Sequence, residues 1–453
     1  MAGKRKRVVK ETKSKKSPLK KSMNICSKHI FSKPSISQIR KELLSWYDAN
    51  QRDLPWRTIA ASEVDPNVRG YAVWVSEVML QQTQVATVIP YFNKWIKTWP
   101  TIQTLAAADL EDVYKVWAGL GYYSRARRLH EGAKFLVTKM SGTMPQEVED
   151  LSKNIPGIGP YSASAIASVA FQKVVGVVDG NVIRVLSRMR EVGADSSHSN
   201  VRNHLWSLAN ELVSDTRPGD FNQALMELGA TVCTPQNPKC SECAVRSSCA
   251  AYSKVRTDTD IGALDSFLKK NGKKKSKSCS DVEECHLCLP DHLWKSNPQV
   301  TVFPVKAPKK KPREERVMVL VIDRENRFLL IRRPEEGLLA GLWEFPKIIL
   351  TGDKDVNDSQ DVLLNELTIE QSSVISRKHV AEVSHIFSHI RTTYVVEHIQ
   401  VAPSLVVEDL ECPTSWWNAS EVRTAAVSTA VKKILDSVEK LLRTDHPKKD
   451  SKA

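Results

Sequence analysis

The stretch Ile155–Val182, IPGIGPYSASAIASVAFQKVVGVVDGNV, decides the fold of the first half of this chain. It reads as a glycine-rich hairpin, a helix over Ser162–Phe171, a short loop and then a carboxylate, Asp179, where another helix begins. Gly157 and Gly159 permit backbone conformations that other residues resist. The main-chain amides of a hairpin at a helix N-terminus can bind a phosphate group. The stretch predicts a phosphate clamp with an acid beyond it; the alternative is a Pro-Gly turn followed by an ordinary helix cap.

The chain length and the net charge favour a multidomain protein with a polyanionic partner. A chain of 453 residues is too long for one ordinary domain, so two or three are expected. The net charge is +14, and the tail contains KRKR at Lys4–Arg7. Such a run predicts a nuclear localisation signal or a segment that binds nucleic acid non-specifically, with a merely solvated tail as the alternative. No apolar run approaches the ~20 residues of a membrane helix, so no membrane contact is expected, and the N-terminus has no apolar signal-peptide core.

Hydrophobic periodicity divides the chain into two folded regions. Apolar residues recur at helical spacing before residue 253, where strand signals are sparse, and this predicts an all-α domain. β-Branched and aromatic runs at Val317–Ile322, Phe328–Arg332 and Thr392–Val401 predict strands, and Val362–Leu367 and Ala425–Leu442 predict helices. The predicted parts are a basic disordered tail (1–37), the helical domain (38–253), a Lys-, Ser- and Pro-rich connector (254–315), an α+β domain (316–440) and a polar tail (441–453).

Four cysteines at the end of the helical domain form one group, Cys233, Cys240, Cys243 and Cys249. Soft sulfur ligands so close together suit an iron–sulfur cluster or zinc. The spacing C-x₆-C-x₂-C-x₅-C resembles the [4Fe–4S] loop of the endonuclease III superfamily. Structural zinc and unrelated cysteines are the alternatives. The resemblance implies that the cluster braces a loop bearing Lys239 and Arg246 against DNA.

A second group, Cys279, Cys285 and Cys288, lies in the connector. Three thiolates need a fourth ligand for tetrahedral zinc. His286 is the local candidate and His29 the remote one, and we take His29 because the chain neighbours of His286 already coordinate. Free linker cysteines are the alternative. Cys26 and Cys412 are expected to be incidental.

The hairpin, Asp179 and the cysteine loop, in this order, resemble the helix-hairpin-helix DNA glycosylases, and among them the MutY adenine glycosylases. The resemblance covers about residues 38–440, and the connector cysteines resemble the zinc-binding linker of the animal members. The strings that carry it are LPWR (Leu54–Arg57), WVSEVMLQQTQV (Trp74–Val85), GLGYYSRARRL (Gly119–Leu129), VVDGNV (Val177–Val182), FNQALMELGATVCTP (Phe221–Pro235), GLLAGLWEFP (Gly337–Pro346) and HIFSH (His385–His389).

This resemblance implies hydrolysis of the N-glycosidic bond of a mispaired adenine. Splitting such a bond requires an acid that protonates the leaving base and an anion that stabilises the sugar cation. Glu77 stands in an apolar helix, where burial is expected to raise its pKa; an ordinary, partly exposed helix glutamate is the alternative. Asp179 is expected to stay ionised at a helix N-terminus. The family resemblance assigns to Tyr161 and Asn181 the orientation of these groups and of the attacking water.

Tyr161 occupies the position where glycosylases that also cut the strand carry a lysine, which forms a Schiff base. A phenol cannot form an imine, so the sequence predicts a monofunctional enzyme; Ile183 stands where some bacterial relatives have another lysine. The resemblance places Gln82 and Tyr122 as wedges that fill the stack after base flipping. It also assigns the adenine pocket to Trp56, Arg57 and Gln223, and contact with the DNA backbone to the hairpin of Gly157 and Gly159. For Trp56 and Tyr122, the alternative is simple core packing.

Arg316–Val438 resembles a Nudix fold. The helix expected to hold Mg²⁺ in Nudix hydrolases has a single glutamate, Glu366, so nucleotide hydrolysis is not expected. The resemblance implies instead that Phe387, Ser388 and His389 recognise 8-oxoguanine opposite the adenine.

Three other functions are open to the sequence. They are a pyrimidine glycosylase and lyase of the endonuclease III type, an inert mismatch-binding scaffold, and a nucleotide-pool hydrolase. The expected partner of a monomeric enzyme is duplex DNA with an 8-oxoguanine:adenine mispair. Asp281–Glu284 resembles the region that contacts the checkpoint sliding clamp in animal relatives, and an abasic endonuclease is expected downstream. A nuclear location is expected, with a mitochondrial form left open.

Overall fold

A computed structural model describes residues 25–257, 285–306, 311–337, 339–350, 356–387, 390–407 and 412–445 of the chain. Residues 1–24 of the predicted tail, Cys279, Asp281–Glu284, Ser388 and His389 lie outside these ranges. Residues 25–37, which were also predicted as disordered tail, are folded instead, because Cys26 and His29 are buried against the helical half and a helix already begins at Lys33. Within them, no helix is both long enough and apolar enough to cross a membrane.

The first half is built from helices, as predicted. Ser32 caps the helix Lys33–Asn50 by accepting a hydrogen bond from the amide of Ser35, and Asp65 caps the helix Pro66–Leu80 in the same way through Asn67. The helices are α1 (Lys33–Asn50), α2 (Pro55–Ser62), α3 (Pro66–Leu80), α4 (Val85–Thr98), α5 (Ile102–Ala106), α6 (Leu110–Trp117), α7 (Ser124–Met140), α8 (Val148–Asn154), α9 (Pro160–Phe171), α10 (Gly180–Met189), α11 (Ser199–Leu212) and α12 (Pro218–Thr231).

Two helices form the centre of this half, α3 and α9. All residues of α3 from Gly70 to Met79 are buried, as are those of α9 from Ser162 to Ala170. A β-carbon at Gly70 would lie 2.7 Å from Phe171 at the end of α9, so the two helices pack closely. Burial on all sides explains why these helices lack the polar stripe of a surface helix.

The predicted hairpin joins α8 to α9. Gly157 has a φ of +81°, and a β-carbon there would lie 2.8 Å from Cβ of Arg128, so glycine is required. Gly159 differs from the expectation, because its φ of −92° is open to any residue and a β-carbon would meet nothing within 4 Å.

The second half contains a mixed sheet. Its strands are β1 (Arg313–Arg324), β2 (Arg327–Arg332), β3 (Trp343–Glu344), β4 (Lys347–Ile349), β5 (Val374–Phe387), β6 (Ile390–Val401) and β7 (Thr414–Asn418). The strand order is β3-β2-β1-β6-β5, and β4 pairs with β1 and β7 with β2. The central strands β1 and β6 run parallel, with Val319 opposite Val396. Helices flank the sheet at Val356–Glu366 and Thr429–Asp445, with a short one at Ala419–Thr424.

The long strand β5 was not predicted. Its sequence, VISRKHVAEVSHIF, interrupts the apolar alternation with SRKH, and its pairing with β6 shifts register between His379 and Ala381. A register shift turns successive side chains to new faces, so the period of two is lost from the sequence.

Part of the predicted connector packs on the helical half. The amide of Gly193 donates to the carbonyl of Leu287 at 2.8 Å, and the amide of Val305 donates to the carbonyl of Gly193 at 3.1 Å. A helix spans Asp291–Ser296 between these contacts. The two halves also touch directly, since Tyr123 Oη donates to the carbonyl of Val427 at 2.9 Å.

Candidate active site

A single cavity of about 320 Å³ gathers the predicted catalytic and pocket residues from five helices and the turn after α3. That volume is typical of a small-molecule site. The predicted residues that line it are Trp56, Arg57, Glu77, Gln82, Tyr161, Asp179, Asn181 and Gln223.

Glu77 is one of two buried glutamates that line the cavity, the other being Glu227. It lies on α3 and is 8% exposed, and burial raises its pKa from 4.5 to about 7, although a hydrogen bond with Tyr161 acts in the opposite direction. Its Oε2 atom has no hydrogen-bond partner in the described protein. A carboxyl group with this pKa carries a proton in about half of the molecules at neutral pH. The predicted rise in pKa is thus present.

Asp179 caps α10 on the same cavity. Its Oδ1 accepts from the amide of Val182 at 2.7 Å, and its Oδ2 accepts from Nδ2 of Asn181 at 2.8 Å. Burial raises the pKa of Asp179 above its ordinary value, while these hydrogen bonds pull the pKa down. The sequence predicted that the helix N-terminus would dominate, but the cavity is enclosed enough for desolvation to be the larger effect.

Tyr161 is the second residue of α9 and lines the cavity together with the two acids. Burial raises the pKa of its phenol well above 10, with the charges of Glu77 and Asp179 acting in the same direction. The hydroxyl therefore keeps its proton, and it lies 3.8 Å from Sδ of Met226.

Two of the predicted adenine-pocket residues, Arg57 and Gln223, are held in a network with an acid that was not predicted, Glu227. Arg57 donates from Nε to Oε1 of Gln223 at 3.1 Å and from Nη2 to Oε2 of Glu227 at 2.7 Å, and Arg52 pairs with the same carboxylate. The Glu227 side chain is fully buried. Burial raises its pKa, but the two guanidinium groups outweigh burial and hold the pKa below its ordinary value. The sequence signal for this role was the position of Glu227 four residues after Gln223, which places both side chains on the same face of α12.

Trp56 both lines the cavity and packs in the core. Its ring meets Phe92 edge to face at 5.4 Å between centroids, and the side chain is buried. Core packing, the alternative reading of Trp56, is therefore part of its role.

The two predicted wedge residues lie at exposed turns with unusual backbones. Gln82 has a φ of 58° and Tyr122 a φ of 50°, in the left-handed region that non-glycine residues rarely adopt. Tyr122 is 47% exposed. Such conformations concentrate at functional sites.

A second cavity, of about 300 Å³, opens between the two halves and contains Tyr122 and Phe387. His385, which was not among the predicted recognition residues, packs against Phe387 with 4.4 Å between the ring centroids. Arg127, Gly337 and Leu339 also line this cavity. Tertiary structure thus brings a predicted wedge residue and a predicted recognition residue to one space.

The four cysteines Cys233, Cys240, Cys243 and Cys249 line one small cavity with Arg188. Arg188 Nη1 lies 3.3 Å from Sγ of Cys233. Burial raises the pKa of the Cys243 thiol to about 11 and that of Cys249 to about 12, so their thiolates need a compensating cation. Four sulfurs around one space with a neighbouring guanidinium fit a metal centre.

An arginine links this loop to the carboxylate of Asp179, a predicted catalytic residue. Arg184 donates from Nε to the carbonyl of Cys233 at 2.8 Å and from Nη2 to Oδ1 of Asn181 at 2.8 Å. Because Asn181 itself donates to Asp179, the cysteine loop and the carboxylate are joined by a chain of hydrogen bonds.

Cys26, His29, Cys285 and Cys288 form a second group that could bind a metal ion, with ligand atoms all within 4.8 Å of one another. Nδ1 of His29 donates to the carbonyl of Arg190 at 2.8 Å, so Nε2, 3.3 Å from Sγ of Cys288, carries the lone pair. Burial lowers the pKa of His29 to about 4, which keeps the ring neutral as a ligand must be. His29 lies beside Cys285 and Cys288, as predicted. Cys26 was expected to be incidental but lies in the group, because the N-terminal segment folds back on the connector; Cys279 is outside the described residues.

Comparisons with known proteins match both halves. Residues 75–211 match the model of the HhH-GPD superfamily base excision DNA repair protein, and residues 317–437 match the NUDIX domain. A solved structure of a thermostable thymine-DNA glycosylase covers 49% of this chain and 98% of its own, with 26% identity and a TM-score of 0.43.

Full-length relatives align across both halves. The adenine DNA glycosylase of Mus musculus is 46% identical over 426 residues, which are 91% of this chain and 80% of the mouse protein. The adenine DNA glycosylase of Homo sapiens is 47% identical over 422 residues, which are 91% of this chain and 76% of the human protein. At these identities over most of both proteins, the chain belongs to the adenine DNA glycosylase family.

Proposed function

We propose that this protein is a monofunctional adenine DNA glycosylase that excises adenine mispaired with 8-oxoguanine or guanine and so initiates base excision repair. The observation that carries the proposal is that Glu77, with a pKa near 7, and Asp179 line one cavity. One of these acids can hold a proton at neutral pH, and the other can bear a negative charge beside a sugar cation.

Glu77 in its protonated form donates to a ring nitrogen of the adenine, so that the base leaves neutral. As the glycosidic bond breaks, positive charge develops on the sugar, and the Asp179 carboxylate stabilises that charge or attacks transiently. Water then adds to the sugar carbon and passes its proton to the Glu77 carboxylate, which restores the starting acid. Asn181 and Tyr161 orient the carboxylates and this water, and their contacts with Asp179 and Glu77 support that role.

The absence of lyase chemistry follows from Tyr161, whose phenol has no amine to form an imine. Hydrolysis is therefore expected to leave an intact strand with an abasic site.

Recognition of the mispair requires that the adenine leave the stack. Gln82 and Tyr122 fill the vacated position, and Phe387, Ser388 and His389 read the 8-oxoguanine that remains. Tyr122 and Phe387 line one cavity, which supports a site where one residue fills the stack and the other contacts the opposite base. Within the adenine pocket, Arg57 occupies the oxygen of Gln223, which leaves the amide nitrogen to donate to the base.

Two cofactors are proposed. Cys233, Cys240, Cys243 and Cys249 hold a [4Fe–4S] cluster, and Cys285, Cys288 and His29 hold Zn²⁺ with a further cysteine. Both would cross-link chain segments rather than take part in bond cleavage. The zinc would join the N-terminal segment, the end of α10 and the connector, since His29 already contacts Arg190.

Partners and location are proposed on the sequence. The basic tail favours the nucleus, with a mitochondrial form as a second location. The connector segment Asp281–Glu284 would contact the checkpoint sliding clamp, and an abasic endonuclease would act on the product.

A single-turnover assay of adenine release tests the function. Duplexes with 8-oxoguanine:adenine, guanine:adenine and thymine:adenine pairs are compared, and release is expected to be fastest from the first. Borohydride is added in a parallel reaction, in which no covalent adduct is expected to form at the rate of base release. No adenine release from the first duplex would refute the proposal.

A further inference from the structure

One buried arginine, Arg125, connects the two turns that carry Gln82 and Tyr122. It is the second residue of α7 and is 8% exposed. Its guanidinium group faces main-chain carbonyls, which places a rigid planar donor between two segments far apart in the sequence.

One nitrogen of the guanidinium group closes the end of α3. Nη1 donates to the carbonyls of Val78 at 3.0 Å, Met79 at 2.9 Å and Gln81 at 2.5 Å. These are C-terminal carbonyls that the helix itself leaves without partners. Arg125 thereby fixes the backbone just before Gln82.

The other nitrogen reaches the second turn. Nη2 donates to the carbonyls of Leu120 at 3.3 Å and Gly121 at 3.0 Å, directly before Tyr122. It also lies 3.4 Å from Oγ1 of Thr83, directly after Gln82. The Tyr122 ring stacks on the guanidinium group at 5.3 Å from its centroid.

Both turns hold a residue in the left-handed region, Gln82 and Tyr122. Such a conformation costs free energy and persists only when the surrounding structure imposes it. The carbonyls bound by Arg125 immediately precede each of these residues, so the guanidinium group is placed to impose both conformations at once.

We propose that Arg125 is a positioning residue that holds the Gln82 turn and the Tyr122 turn at a fixed separation, so that both enter the duplex together when adenine is extruded. The inference rests on the proposed function, because it takes Gln82 and Tyr122 as the side chains that fill the stack. A lysine could reach one turn, but its compact ammonium group cannot span both sets of carbonyls as the planar fork does.

The test compares two substrates with the full-length protein. One duplex has adenine opposite 8-oxoguanine, and in the other adenine lies opposite an abasic site, where extrusion requires less energy because no pair is broken. Arg125→Met is expected to lower the single-turnover rate about tenfold or more on the first duplex, since small misplacements are costly. On the second duplex a loss of less than about threefold is expected. Equal losses on both duplexes would assign Arg125 to the general support of Glu77 and overturn the proposal.

A double-mutant cycle gives a second readout. If Arg125 acts through Tyr122, then Arg125→Met is expected to lower the rate less in a Tyr122→Ala protein than in the unaltered one. Additive effects would contradict the proposal. Lys134→Met removes an exposed positive charge from the same helix and is expected to leave both rates unchanged.

Arg125→Lys covers the case in which the methionine variant does not fold. It keeps the charge and is expected to show the same difference between substrates at smaller amplitude; unaltered rates on both duplexes would overturn the proposal. Failure of the proposed function is separate, since it would appear as no adenine release by the unaltered protein.

Discussion

Asn181 donates a hydrogen bond from Nδ2 to Oδ2 of Asp179 at 2.8 Å, and its own Oδ1 accepts from Arg184 at 2.8 Å. The carboxylate is therefore oriented by a side chain that is itself fixed to the cysteine loop through the carbonyl of Cys233. A group held in this way loses little entropy in reaching the reactive geometry.

Asp179→Asn is expected to abolish adenine release while DNA binding is retained, because the amide keeps the shape of the side chain but not its charge. A rate loss of about 10³-fold or more is expected for a group that stabilises charge directly. Single-turnover rates and titration of a labelled mispaired duplex measure the two properties. Parallel loss of binding and rate would indicate that Asp179 serves mainly to fold the site.

The pH dependence of the reaction is expected to reflect Glu77. Its protonated form is the active one, so the single-turnover rate is expected to fall as the pH rises through about 7. Glu77→Gln, which cannot supply a proton, is expected to be inactive at every pH. A rate that rises between pH 6 and 8 would exclude Glu77 as the acid.

Glu77 is also expected to affect stability, with a defined sign. Its pKa is raised on folding from 4.5 to about 7, so the folded state binds more protons between these values and the free energy of unfolding falls as the pH rises through them. Urea unfolding of Glu77→Gln is expected to lack this part of the pH dependence, which is on the order of 1–3 kcal/mol. Glu366→Gln, at an exposed position, is the matched control and is expected to retain it.

Glu227→Gln is expected to destabilise the protein and weaken the adenine pocket, because it leaves Arg57, whose side chain is only 12% exposed, without its carboxylate. A loss of about 2 kcal/mol or more in urea unfolding is expected for breaking a buried pair from one side. Arg52→Met is the matched comparison and is expected to cost less, since Arg52 is 40% exposed. Equal costs would show that the pair with Arg57 contributes little.

His29→Ala and Cys288→Ser are each expected to lower the zinc content of the purified protein while iron is unchanged, because the two cysteine groups are separate. Metal analysis of both elements measures this, with Cys412→Ser as the control that should retain zinc. The remaining zinc ligand is either Cys26, which the geometry favours, or Cys279, which the sequence spacing favours. Cys26→Ser is expected to lose zinc in the first case, and Cys279→Ser in the second. Zinc retained in His29→Ala would refute the site.

Phe387→Ala combined with Ser388→Ala is expected to reduce the preference for the 8-oxoguanine pair over the guanine pair by about tenfold, the effect of losing roughly 1.4 kcal/mol of contact energy. The maximal single-turnover rate on the guanine pair is expected to change little. Equal losses on all adenine mispairs would show that these residues support catalysis generally.

Local sequence signals were sufficient for most of the fold and much of the site. Asp179 was recognised as a helix cap because capping depends on residues within one turn, and the structure places it at the start of α10. The long strand β5 was missed because its register shift destroys the alternation that identifies strands.

Residues that act by pairing across the fold were harder to find. Arg125 and Glu227 look in the sequence like ordinary charges on helices, and only packing shows that one bridges two turns and the other anchors two arginines. Cys26 likewise joins its group only because distant segments meet at His29.

The sequence by itself determined the family, the division into a helical and a sheet-containing half, and the identity of Glu77, Asp179 and Tyr161 as candidates for the chemistry. The tertiary structure alone decided that the two acids share a cavity, that burial moves the pKa of Glu77 to about 7, and that Tyr122 and Phe387 line one cavity between the halves. The physical reason is that residue order fixes short-range preferences, whereas desolvation and pairing arise only when segments distant in the chain exclude water together.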